Sequence, residues 1–262
     1  MSEPTLYAQA KEAFVEGGAN ETFVTLDTNR IYLQRLMDDF QKPFKLVVIH
    51  GEPGVGKSML LRKFEKDMES DDLVVYYKPF FSIDDFKKRL AKILFGDESI
   101  DPLERIERYE GPQKTIVLDE AQLYEREFLE YIRLLADSTK VRFILSMHQN
   151  SNEKLRAKEH FETRIFDSIK VERPSKQEFW TYIQKRLLAK NVAELAHAFD
   201  RKKSDAIYTY CEGNFRRANQ FLYTLFDILD YFDEHQPSLL TKGPIPNDFI
   251  EMTAIHLGYI DA

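Results

Sequence analysis

The sequence predicts an α/β protein: a parallel five-stranded sheet sandwiched by helices, followed by a small all-α domain. Three observations carry this. Five short apolar runs rich in β-branched residues alternate with helical patterns through the first two thirds of the 262 residues, which is how a helix-covered parallel sheet reads. The first run passes directly into a glycine-punctuated loop and a helix. Beyond Glu172-Arg-Pro-Ser175 no convincing strand pattern recurs. The expected domains are therefore 1–172 and 173–262.

Before the first strand, Asp27-Thr28-Asn29 reads as a helix cap, with Ile31, Leu33, Leu36 and Met37 on the apolar face that follows. Phe23-Val-Thr-Leu26 either borders a bound base or packs in a core. The first strand is Lys45-Leu-Val-Val-Ile-His50, and Met59-Leu-Leu-Arg-Lys-Phe-Glu-Lys reads as the helix after the loop. Leu73-Val-Val-Tyr-Tyr-Lys78 is the second strand. Ser82 starts a helix through Phe86, Leu90, Ile93 and Leu94 that ends at Gly96. Residues 97–113 read as an acidic surface stretch with a short helix from Pro102 to Tyr109. Strands follow at Thr115-Ile-Val-Leu-Asp-Glu120, Val141-Arg-Phe-Ile-Leu-Ser-Met147 and Phe166-Asp-Ser-Ile-Lys-Val171, with a helix from Phe128 to Leu135 between the first two. In the second domain Ser175-Lys-Gln-Glu178 is a capping box. Ala218, Phe221, Leu222, Leu225, Phe226 and Leu229 form one continuous helical face. Asn247-Asp248 is expected to cap a last helix ending near Gly258.

An apolar content of 43% supports a substantial core, and the single Cys211 excludes an internal disulfide or a multi-cysteine metal site. No basic-then-apolar leader opens the chain, and no stretch nears the ~18 apolar residues of a membrane span. Phe221 to Leu229, the nearest, is interrupted by Asp227. No direct membrane insertion and a cytoplasmic location are expected. A net charge of −7, with a pI near 5.5, argues against a delocalised grip on nucleic acid, although a local basic patch remains compatible with binding.

The chemistry is concentrated in two stretches. Gly51-Glu-Pro-Gly-Val-Gly-Lys-Ser58 has the G-x-x-x-x-G-K-[ST] spacing of a phosphate-binding loop. Its glycines let backbone N–H groups approach a polyphosphate, and the helix N-terminus adds positive partial charge. Gly51, Glu52, Pro53, Gly54, Val55, Gly56, Lys57, Ser58 and Met59 are the candidate nucleotide contacts. Lys57 is placed for the β- and γ-phosphates of ATP, and the Ser58 hydroxyl for Mg²⁺. The second stretch is the end of the third strand, where ligands of open α/β sheets bind. There Asp119 is expected to hold the Mg²⁺ shell and Glu120 to polarise the attacking water. Ser146 and His148 are expected to project polar groups from the fourth strand's end. His148 is either structural or a contact to the γ-phosphate or the water.

With these residues in view the chain resembles the AAA+ ATPases, and more narrowly the general-secretion-pathway protein A family with its MSHA-type pilus biogenesis members. The resemblance rests on the phosphate loop, Asp119-Glu-Ala-Gln122, the stretch Leu155 to Ile165 ending in Thr163-Arg-Ile165, Gly213-Asn-Phe-Arg-Arg217, and a terminal helix ending Leu257-Gly258. It implies a P-loop sheet followed by a lid, a homo-oligomer, and Arg164 as an arginine finger reaching a neighbouring subunit's γ-phosphate. It further implies Arg216, ahead of Arg217, as the lid's sensor arginine. Relatives carry Gly-Gln where this chain has Met147-His148, so His148 stands in the glutamine's place as sensor. Longer relatives continue into a membrane span and a peptidoglycan-binding domain, so contact with an envelope machine would run through a protein partner.

Three functions compete on this reading. The first is an ATP-hydrolysing assembly factor for a secretion or pilus machine. The second is a DNA-linked AAA+ ATPase of the transposition-accessory or initiator type. It is disfavoured by the 11 Lys/Arg against 13 Asp/Glu from Val171 onward, with Lys185, Arg186, Lys190 and Arg201-Lys-Lys203 as either a patch or a solvated face. The third is a nucleotide switch that barely turns over, against which Glu120 speaks.

Overall fold

A computed structural model describes residues 5–15, 23–156, 159–240 and 243–261. The chain divides into two compact units. The sheet unit is Ile31–Glu52 with Gly56–Val171, and the helical unit is Met1–Arg30, Pro53–Val55 and Glu172–Ala262. The passage from sheet to helices thus falls at residue 172, while the N-terminal segment and the loop residues 53–55 group with the helices.

The sheet unit carries β1 (Leu46–Gly51), β2 (Leu73–Tyr76), β3 (Lys114–Leu118), β4 (Val141–His148) and β5 (Ile165–Lys170). Their spatial order is β2-β3-β4-β1-β5, and every neighbouring pair is parallel. All six residues of β1 are buried, as a central strand covered on both faces requires. The chain leaves β1 through the helix Lys57–Met68 toward β2 and returns to its other side only at β5. The carboxyl end of β1 is therefore at a topological switch point, where ligands of such sheets bind.

Side chains from one face of the sheet, Val48, Ile116, Leu118, Phe143 and Leu145, pack with Phe86 and Leu90 of the helix Ile83–Phe95 and with Phe128 and Ile132 of Arg126–Asp137. Each fully buried side chain of this size contributes roughly 1.5–3 kcal/mol. The helix Ile83–Phe95 has the boundaries its sequence forecasts. The Ser82 hydroxyl accepts from the Asp85 N–H, and Gly96 ends the helix at φ +73°.

The helical unit is built from Leu6–Glu12, Lys176–Leu188, Ala193–Ala198, Arg201–Cys211, Phe215–His235 and Asn247–His256. The forecast face of Phe215–His235 is its core, since all six residues from Ala218 to Leu229 named above are fully buried. Cys211 packs among them, and burial pushes its thiol up to about 12. The capping box at Ser175 and Glu178 is present.

Two forecast caps differ. The helix over 27–40 begins at Asp27, but Asn29 turns back to bond the Leu26 N–H and the Val24 carbonyl. It is Glu178, 150 residues away, that accepts from the Thr28 N–H. Asn247 and Asp248 are the first residues of their helix, behind Pro246, and no side chain caps it. Leu26 joins the helical core, with Val24 packed against it. No helix among the described residues is long and apolar enough to cross a membrane.

Candidate nucleotide site

The loop after β1 has the backbone a phosphate cradle needs. Gly54 and Gly56 take φ values of +78° and +98°, a region closed to most residues with a Cβ. Gly56 is the N-cap of Lys57–Met68, and no side chain caps that helix. The Lys57 ammonium is buried and donates to the Gly51 and Glu52 carbonyl oxygens at 2.9 Å each, folding its own loop around it. Val55 is buried, Met59 is half-buried in the first helical turn, and Glu52 and Pro53 are exposed.

The first acidic residue lies against this loop. The Ser58 hydroxyl donates to Asp119 Oδ2 at 2.6 Å, and the Glu120 N–H donates to Asp119 Oδ1 at 2.9 Å. Both oxygens of this 2%-exposed carboxylate are thus held. Two segments 61 residues apart are brought to one point by the carboxyl ends of β1 and β3. A hydroxyl and a carboxylate at this spacing are hard oxygen donors that suit magnesium, which takes few protein ligands and keeps water and phosphate oxygens as the rest. No cluster of three or more His, Cys, Asp or Glu able to hold a metal occurs among the described residues.

Glu120 leaves the end of β3 in a left-handed conformation, φ +55° and ψ +34°. Its Oε2 accepts a short hydrogen bond from Gln122 Nε2, and the same nitrogen is 3.5 Å from His148 Nε2. The His148 ring lies 3.9 Å from Glu120 Oε2. His148 closes β4 beside Gly51, its register partner in β1, so strand pairing sets the ring next to the start of the phosphate loop. Ser146 does not project as forecast. It is fully buried inside β4 and its hydroxyl makes no hydrogen bond, because a residue two positions back along a central strand still faces the packed interior.

Arg164 stands just before β5, at the amino-terminal edge of the sheet and away from its own chain's phosphate loop. Its guanidinium grips Asp137 through Nε at 2.8 and 3.0 Å and Nη2 at 2.8 Å. Arg164, followed by Lys45, holds the Asp137 carboxyl down to about 2, against the desolvation that opposes it. In the helical unit Arg216 is exposed, with no ion pair among the described residues, whereas Arg217 pairs with Glu212 at 2.9 Å and stacks on Tyr259.

Two residues of the motif stretches carry roles the sequence did not announce. One is Gln122. The other is Asn214, whose Oδ1 caps Phe215–His235 by accepting from the Arg216 and Arg217 N–H groups. Its Nδ2 donates to the Pro53 carbonyl at 2.9 Å, and the neighbouring Phe215 N–H reaches the Gly54 carbonyl at 3.0 Å. An Asn before an amphipathic helix signals the cap; nothing local signals the second bond.

Residues 42–155 match the family model of an AAA domain. No curated protein matches the sequence. Among solved structures the chain is similar to one of Drosophila ORC bound to DNA, with a TM-score of 0.68 at 12% identity, covering 97% of this chain and 66% of that one. The Aeropyrum pernix ORC2 protein in its ADPNP-ADP complexes gives 0.62 at 16%, covering 94% and 71%. Cdc6p from Pyrobaculum aerophilum gives 0.58 at 13%, covering 87% and 66%. At such identities the likeness is one of fold, and this chain spans about two thirds of the length of those neighbours. Residues 42–155 thus match an AAA domain, and the parallel five-stranded sheet flanked by helices has the P-loop AAA+ fold.

Proposed function

We propose that this protein binds and hydrolyses Mg-ATP and couples the nucleotide state to DNA, as an initiator or transposition accessory does. The observation that carries the hydrolytic part is the Ser58–Asp119 contact with Glu120 next in the chain. The loop N–H groups and Lys57 would orient the β- and γ-phosphates. Glu120 would accept a hydrogen bond from the attacking water and polarise it along the line of the breaking bond. Ser58 and Asp119 would hold a magnesium ion, whose charge offsets that of the phosphates when it is bound. Arg164 of one subunit would meet the γ-phosphate of the next, in a homo-oligomer, after exchanging Asp137 for that anion. Arg216 would contact the nucleotide from the lid.

For the partner, support has moved between the two leading expectations. The envelope-machine reading draws nothing from the comparisons, whose neighbours are ORC and Cdc6 proteins, two of them, Drosophila ORC and the Aeropyrum pernix ORC1 protein, in structures with DNA. A surface of this chain also suits a nucleic acid strand. The loop after β2 holds Phe81 99% exposed, on a groove it lines with Phe80, Lys88, Arg89, Asp85 and a Lys92–Glu98 ion pair of 3.0 Å. Lys78 and Lys88 are exposed without ion pairs among the described residues. An open aromatic face among cations is what stacking and phosphate attraction use.

The test is ATP turnover with and without duplex or single-stranded DNA at low and moderate salt. Acceleration by DNA, binding that weakens steeply with salt, and a Phe81→Ala variant impaired in DNA binding with basal turnover intact would support the reading. Unchanged turnover and no binding at low salt would overturn its DNA part.

A further inference from the structure

The geometry points to Gln122 as a positioning residue that holds the Glu120 carboxylate ready for water, an inference that rests on the hydrolytic reading above. Glu120 needs such a hold. It is the second residue past the strand, its backbone is left-handed, and its side chain is 38% exposed. Three free side-chain torsions would otherwise spread the carboxylate over many directions.

Gln122 is placed to prevent that. The one-turn helix Ala121–Leu123 begins directly after Glu120, with the Leu123 N–H closing on the Glu120 carbonyl at 3.0 Å. The fully buried Ala121 pins this turn to the core. From it the Gln122 amide returns over Glu120, and Nε2 donates to Oε2 alone. That leaves Oε1 as the oxygen for water. The second hydrogen of the same NH₂ group faces His148 Nε2 at 3.5 Å, an acceptor when the imidazole is neutral with its proton on Nδ1. The other end of the amide makes no such contact: Gln122 Oε1 is buried with no hydrogen-bond partner among the described residues. Leaving a carbonyl oxygen unpaired is costly, and the arrangement keeps it for the sake of both NH₂ contacts. The amide therefore bridges the end of β3 to the end of β4, where His148 is the register partner of Gly51. The general base and the start of the phosphate loop are linked through one side chain.

Gln122 touches no reacting atom, so its effect must pass through Glu120. Gln122→Ala, and Gln122→Met as a variant that keeps the volume and removes the donor, should lower kcat about tenfold, the scale of a hydrogen bond to a charged group. KM and nucleotide affinity should stay at the wild-type values. Gln122→Glu, which sets a second carboxylate against Glu120, should lose more. The decisive readout is a double-mutant cycle: in a Glu120→Gln background, Gln122→Met should cause no further loss. Wild-type kcat in both Gln122→Ala and Gln122→Met, or the same fold-loss in both backgrounds, would overturn the inference while leaving the ATPase reading standing. Equal turnover of wild type and Glu120→Gln would overturn the ATPase reading itself, and this inference with it.

Discussion

Ser58 and Asp119 share a 2.6 Å hydrogen bond from the serine hydroxyl to Oδ2, so the first turn of one helix and the end of another strand already form the two protein corners of a metal–phosphate site. Asp119→Asn keeps the shape and removes the charge. It is expected to reduce magnesium-dependent turnover about 100-fold, on the scale of losing one preorganised electrostatic group. Lys57→Ala should weaken nucleotide binding at least about tenfold, since it deletes a charge-assisted phosphate contact as well as the bonds that shape the loop. Phosphate release with and without magnesium checks the first, and fluorescent-nucleotide titration the second.

Gly54 is held in place by its neighbour. At φ +78°, a Cβ added there would stand 2.1 Å from Asn214 Oδ1. Gly54→Ala should cost about 1–2 kcal/mol from the left-handed backbone alone, with further loss as Asn214 is displaced. Asn214→Ala, losing a cap, should cost about 1 kcal/mol. Thermal unfolding of both variants, with nucleotide titration alongside, measures these losses.

Asp137 ties Arg164 to acid stability. Its carboxyl is depressed to about 2 from an ordinary value near 4. The linked stability is therefore complete above about pH 4 and lost as pH falls toward 2, because the unfolded state takes up the proton first. After allowance for partial solvent exposure this amounts to about 1–2 kcal/mol. Asp137→Ala should flatten the unfolding curve in that window, as urea melts between pH 5 and 2 would reveal.

The finger role predicts a different pattern for the two members of this pair. Arg164→Ala should lower turnover about 10³-fold, whereas Asp137→Ala should leave it within a few fold. Mixing Arg164→Ala with Glu120→Gln subunits should restore activity, because each supplies what the other lacks across a shared interface. No recovery on mixing would assign Arg164 to structure alone.

What could be read from the sequence was what repeats locally. The β-branched runs of β1, β3 and β4, the Ser82 and Ser175 caps, and the apolar face from Ala218 to Leu229 are short-range patterns, and each stands where its period placed it. The meeting of Ser58 with Asp119 was legible because both motifs sit at carboxyl ends of parallel strands, and the topology supplies the rest. Contacts between distant residues were not legible. Glu178 serving Thr28, Asn214 serving Pro53, and Gln122 lying between Glu120 and His148 depend on how strands and helices dock. Ser146 departs from its expected place for a related reason. Its polarity suggested the site, but its register opposite Ile49 sets it inside the sheet.

The most direct measurement is phosphate release from Mg-ATP by wild type beside Glu120→Gln, at protein concentrations spanning subunit association. A wild-type rate that rises with concentration, and falls 100-fold or more in the variant while nucleotide binding persists, is the expected result. Equal rates in the two proteins would contradict the account.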